Sequence, residues 1–193
     1  MQSLSDLSTA EFRSALTPER VKIGMIIQAA LAGGALLFFV AVSTIGLLNQ
    51  PKNPAAIDYS MLGIMTIICL MLLLLTYITG SFVYNSFFKP ERLQAAFSSE
   101  PINNEGRPIS ASPAEKAVSL IRTAILVRTA SLEGAAIFGL ASFTLAAQQG
   151  ALKTVPWIWF DILPLIVLLL WVIISFPTPD RLEKIFETKM IRR

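Results

Sequence analysis

Four apolar blocks, each long enough to cross a lipid bilayer and each bounded by short polar segments, constrain this chain more than any other feature. The first runs from Ile23 to Leu48, 26 residues without a charged side chain. A bilayer core needs about 20 helical residues, whereas the apolar region of a cleavable signal peptide has only about 7–15. This block is therefore expected as a retained span. The second runs from Met61 to Phe88, the embedded part of the third from Ile125 to Ala147, and the fourth from Val155-Pro156-Trp157 to near Phe176. With 54% hydrophobic residues, a mean hydropathy of +0.63 and 15% charged residues, the chain falls well below the quarter or so charged content of soluble domains. The expected fold class is all-α: a polytopic membrane protein of four transmembrane helices, arranged as two hairpins in parallel repeat, with short cytoplasmic interfacial helices.

The polar segments divide the chain into a cytoplasmic N-terminal segment (1–22), a first hairpin (23–97), a linker (98–112), a second hairpin (113–176) and an amphipathic C-terminal helix (177–193). Together they are expected to make one membrane domain, since no polar segment is long enough to bury a core alone. Local signals mark the helix starts. Ser8-Thr9-Ala10-Glu11 and Ser112-Pro113-Ala114-Glu115 fit capping boxes, and Thr17-Pro18-Glu19 and Thr178-Pro179-Asp180 place a cap before a proline. Asn49-Gln50-Pro51-Lys52-Asn53-Pro54 reads as a tight turn region, and the linker SSEPINNEGRPISAS has no core-forming capacity. A helix from Ser112 to Ala147 would be about 52 Å long, so its first turns, with Lys116 and Arg122, are expected outside the membrane. Trp157, Trp159 and Trp171 suit interfacial belts, and Asp161, about one turn inside the last span, is expected within reach of water.

Charge sets the orientation. Of the 16 Lys and Arg, only Lys52 and Lys153 fall in the two loops opposite the N-terminus. Both termini are thus expected in the cytoplasm, with the protein in a bacterial inner membrane. The same placement explains the net charge of +3 without nucleic acid as a partner. Arg92, Arg122, Arg128, Arg181 and Lys184 are expected at lipid headgroups. Leu182, Ile185, Phe186 and Met190 form an apolar stripe that suits an anionic leaflet. The chain has no His and one Cys, Cys69, inside an apolar run. An intrachain disulfide is excluded, and haem and zinc sites lose their usual ligands. No cofactor or metal is expected.

An internal repeat accompanies the hairpins. Pro90-Glu91-Arg92-Leu93 with Phe97 matches Pro179-Asp180-Arg181-Leu182 with Phe186 at an offset of 89, after the second span of each half. Leu31, Gly33, Ala35 and Leu36 match Leu132, Gly134, Ala136 and Ile137 at an offset of 101. In hydrocarbon, helices associate through small residues. Ala29-Gly33 and Ala30-Gly34, with Ala130-Gly134 and Ala135-Gly139, therefore predict the first and third helices as an inner pair and the Leu-rich second and fourth as outer ones.

Within that repeat Glu133 stands where the first half has Ala32. An ionisable group about 12 Å inside the boundary is a functional-site hypothesis by its depth alone. Thr129, Gln28 at the aligned position, Tyr77 and Asn85 complete the candidate intramembrane polar site, with Thr79 and Tyr84 as further partners. The stretch SLEGAAIFGLA is similar to the carboxylate helix of rotary ATPase proteolipid subunits, in which an acid sits among small residues before an aromatic and Gly-Leu. That similarity covers about a dozen residues. Here the acid is in the third helix, and the polar loop of those subunits is missing, so it implies a shared packing style. The whole chain resembles small bacterial four-span proteins with an R-x-A-x-x-E-G-x-A-x-F-G-L helix, here Arg128 to Leu140, which implies no activity. Without nucleotide motifs or a nucleophile–base pair, the expectation is a non-enzymatic accessory or structural subunit of a membrane complex, partnered by the bilayer and by another membrane protein or its own copies. The alternatives are a small transporter or ion-conducting protein using Glu133, and, third, a lipid-directed enzyme.

Overall fold

The computed structural model describes residues 7–48, 57–98 and 112–191, and among them there is no strand. The helices are α1 (Thr9–Ala15), α2 (Pro18–Leu48), α3 (Tyr59–Ser86), α4 (Pro90–Ser98), α5 (Pro113–Gln148), α6 (Leu163–Ser175) and α7 (Pro179–Phe186). A 3-10 turn at Ala151–Lys153 and a 3-10 segment at Pro156–Ile162 precede α6, and a π turn at Glu187–Ile191 follows α7. Four stretches are long and apolar enough to cross a bilayer: Pro18–Gly46, Tyr59–Ser86, Pro113–Gln148 and Pro156–Ser175. The turn read at Asn49–Pro54, most of the linker 98–112, and Arg192 and Arg193 lie outside the described residues.

The chain gathers into two compact units. The first comprises Met1–Ile27, Ser81–Arg128 and Ser175–Arg193. Its helices start where the sequence signals them. The Ser8 hydroxyl accepts the Glu11 N–H and the Glu11 carboxylate accepts the Ser8 N–H, closing the capping box on α1. Ser112 and Glu115 do the same on α5. Three sequence-distant segments pool a core of Phe12, Phe88, Leu93, Ile121, Leu182 and Phe186 with their neighbours, although none could bury one alone. The Phe12 and Phe186 rings stack, centroids 4.2 Å apart and nearly coplanar. The apolar stripe of α7 is consequently turned into protein: Leu182, Phe186 and Met190 are buried. This corrects the expectation that the stripe lies on a leaflet. Arg181 and Lys184, off the stripe, are exposed.

The second unit comprises Gln28–Gly80 and Thr129–Ile174. Here α2 and α5 run side by side in the same direction, touching at Gln28 with Thr129 and at Gly46 with Ala147. Gly46 has no room for a side chain, since a Cβ there would lie 2.6 Å from the Ala147 Cβ and 2.7 Å from Leu152 Cδ1. Gly33, Gly34 and Gly134 have no atom within 4 Å of where their Cβ would be, so they are not the packing points expected of them. The close contacts use Gly46 and Gly139 instead. Burial also departs from an inner first and third helix. In the most apolar window of each span, 44% of residues are buried in the third and fourth and 17% in the first and second. The fourth span belongs inside because Gly139 admits its backbone: a Cβ on Gly139 would sit 2.3 Å from the Asp161 carbonyl oxygen.

Candidate functional site

The second unit carries few charges. Its described Asp, Glu, Lys and Arg side chains are Asp58, Glu133, Lys153 and Asp161; all other described Lys and Arg lie in the first unit. Two polar constellations occupy its spans.

The first is built on Thr129, fully buried on α5. Its hydroxyl accepts from the Gln28 side-chain amide at 3.4 Å and from the Trp171 indole N–H at 3.1 Å. Gln28 and Thr129 were both expected here, and the structure brings them together. Trp171, read as an interfacial anchor, has its N–H inside this contact, which ties α6 to α5. Glu133, one turn further along α5, is half-buried and shares no hydrogen bond or ion pair with another described residue. Its neighbours Ala130, Gly134, Ile137 and Ala141 are exposed and, at 100° per residue, fall on one side of the helix beside it. Tyr77 is exposed on α3. Asn85 belongs to the first unit, where its amide donates to the Ser81 carbonyl and its oxygen accepts from Lys189.

The second constellation centres on Asp161, which the sequence reading set at the water-accessible end of a span. The structure corrects this: Asp161 is 1% exposed. It sits near the end of the 3-10 segment, and Pro164 has no N–H to offer its carbonyl, so a ladder of i→i+3 bonds cannot continue there. The Ser142 hydroxyl donates to Oδ2 at 2.6 Å. The buried Cys69 thiol donates a weak hydrogen bond to the Asp161 carbonyl oxygen, 3.9 Å from sulfur to oxygen. The hydroxyl of Thr66, also buried, neighbours the carboxyl closely enough to hydrogen-bond with it after a small adjustment, while as they stand its oxygen and Asp161 Oδ1 each lack a hydrogen-bond partner. Sequence reasoning missed this cluster because its members are single polar residues 3, 19 and about 95 positions apart (Thr66 to Cys69, Ser142 to Asp161, Thr66 to Asp161). The available signal was Asp161 itself, an acid in an otherwise uncharged span.

In the first unit the expected headgroup cations are partly engaged with protein. Arg128 lies over the Tyr84 ring at 5.5 Å and Arg92 over Phe87 at 5.9 Å. The Arg122 stem passes 3.5 Å from where a Gly24 Cβ would be. Arg20 pairs with Glu115, and Arg13 with Glu183 at 3.8 Å. Among the described residues no group of three or more His, Cys, Asp or Glu could hold a metal ion. No family model matches this chain, and no curated protein or solved structure is significantly similar to it.

Proposed function

We propose that this protein is an accessory or structural subunit of a membrane complex in a bacterial inner membrane, without cofactor or catalytic activity. The observation that carries this reading is Glu133, half-buried in mid-span, unpaired within the described chain, and edged by exposed small residues. A carboxylate left against lipid costs at least about 2.5–3.5 kcal/mol. Ala130, Gly134 and Ala141 let another helix approach closely, and a donor on that helix would supply the hydrogen bonds Glu133 lacks. Purification from native membranes in mild detergent tests this. A stoichiometric membrane-protein partner is expected, lost in Glu133→Ala and in Gly134→Leu. A homogeneous monomer or homo-oligomer with no partner sinks the subunit reading.

Transport or ion conduction through Glu133 is the other function its placement allows. Equal flux by wild type and Glu133→Gln in proteoliposomes would remove it.

The architecture behind this reading is a duplicated hairpin related by an axis along the membrane normal. Two contacts support it. Gln28 meets Thr129 and Gly46 meets Ala147, each pair 101 positions apart, the offset that aligns Leu31 with Leu132. Residues equivalent by duplication touch one another where a two-fold axis passes between their helices. The Pro-acid-Arg-Leu motifs also start α4 and α7, with Leu93 and Leu182 both buried. Both termini are assigned to the cytoplasm, in keeping with the gathering of residues 7–27 and 175–191 into one Lys- and Arg-rich unit.

A further inference from the structure

Asp161 poses a problem independent of Glu133. Its carboxyl is enclosed by α3, α5 and its own 3-10 segment, with one oxygen bonded to Ser142 and the other to nothing. No basic side chain pairs with it among the described residues, and the titratable group facing it is the Cys69 thiol from α3. From α5 it meets Ser142 and Gly139, both uncharged. A bare carboxylate in this setting has neutral hydroxyls beside it and no counter-charge, in a medium that cannot hydrate it. The backbone of Asp161 is closely packed: where Gly139 approaches, a single added carbon would lie 2.3 Å from the Asp161 carbonyl oxygen and 3.1 Å from the Cys69 sulfur.

We propose that Asp161, Thr66 and Ser142 form an intramembrane proton-binding site. Uptake of one proton from water converts the Asp161 carboxylate into the acid, and the new Oδ1–H donates to Thr66 Oγ1. Oδ2 keeps the hydrogen bond from Ser142. The two unpartnered buried oxygens are then satisfied by one bond. Release returns the proton to water and restores a carboxylate facing apolar helix walls. Water must enter, or α3 must part from the 3-10 segment, for that state to persist. Proton occupancy thus holds three spans together.

Infrared spectroscopy of the full chain in lipid vesicles tests the site directly, with no partner protein needed. At neutral pH a protonated-carboxyl C=O band is expected, absent in Asp161→Asn and retained in Glu133→Gln. Thr66→Val, which keeps the shape and removes the acceptor, is expected to shift the band to higher frequency. A spectrum without such a band from neutral to mildly acid pH overturns the proposal, as does a band that survives Asp161→Asn. Asn can donate to Thr66 as the acid would, so Asp161→Asn is expected to fold. If it does not, the Thr66→Val shift decides: an unmoved band overturns the assignment.

Discussion

Gly139 and Gly134 lie five residues apart on α5, and the sequence offers no way to rank them, because both fit a small-xxx-small pattern with an alanine four positions before. Their surroundings differ. Alanine at Gly139 would drive a methyl into the Asp161 backbone, which cannot yield as a flexible side chain could, whereas at Gly134 it meets open space. Gly139→Ala is expected to destabilise the protein by about 1–3 kcal/mol, the usual range for overpacking. Gly134→Ala should leave isolated-protein stability unchanged or slightly raised, since alanine is the better helix former. Thermal unfolding in detergent separates them, and equal melting temperatures would refute the packing account. The two acids divide similarly. Glu133 was legible as a candidate because an acid among small residues stands out, but its partial exposure was not. Asp161 was legible as an acid near a span end, yet its burial depends on Gly139, 22 positions away.

The short elements show local and tertiary contributions side by side. The capping box makes α1 readable from four residues. The Ser8 backbone N–H, and then its hydroxyl, hold the Glu11 carboxyl below its ordinary value of 4.5. A lowered folded value means that the cap's contribution is complete above the ordinary carboxylate range and fades as pH falls through the folded value. Amide exchange in α1, corrected for intrinsic rate, should therefore lose protection only on acidification. Glu11→Ala should abolish that pH dependence, and an unchanged profile would count against the cap. What fixes α1 in place is the Phe12–Phe186 stack, which no local pattern announces. Phe12→Ala is expected to cost about 3–5 kcal/mol, as for other buried phenylalanines, and to release α7 to proteolysis under native conditions. The fourth span shows tertiary demand at the same scale. Its 3-10 lead rises about 2.0 Å per residue against 1.5 Å for α-helix. A 20-residue stretch that would reach only about 30 Å as pure α-helix thereby gains a few ångströms.

At the scale of the molecule, an even number of spans returns the chain to the side on which it began. Cysteines introduced at Ser14 and Lys184, both exposed, should then react with an impermeant thiol reagent from one and the same side, and one at exposed Thr154 from the opposite side only. The Cys69→Ala background removes the native thiol. Labelling of all three from one face would refute the topology. The close contact of Gly46 with Ala147 makes a demand of its own. Gly46→Leu and Ala147→Leu act on one contact between α2 and α5, so their destabilisations should be far from additive. Additive losses would place the two residues apart.

Hydropathy, charge placement and capping determined the class of this protein unaided: all-helical, with four stretches able to cross a bilayer and most helix starts. Those properties depend on runs of neighbouring residues, and a run is visible in one dimension. Which helices are buried, which glycines are contacts and which acid is enclosed were decided only in the tertiary structure. The physical reason is that lipid and protein interior are equally apolar, so a Leu-rich face suits either. Only the close approach of particular backbones, as at Gly46 with Ala147 and Gly139 with Asp161, tells one from the other.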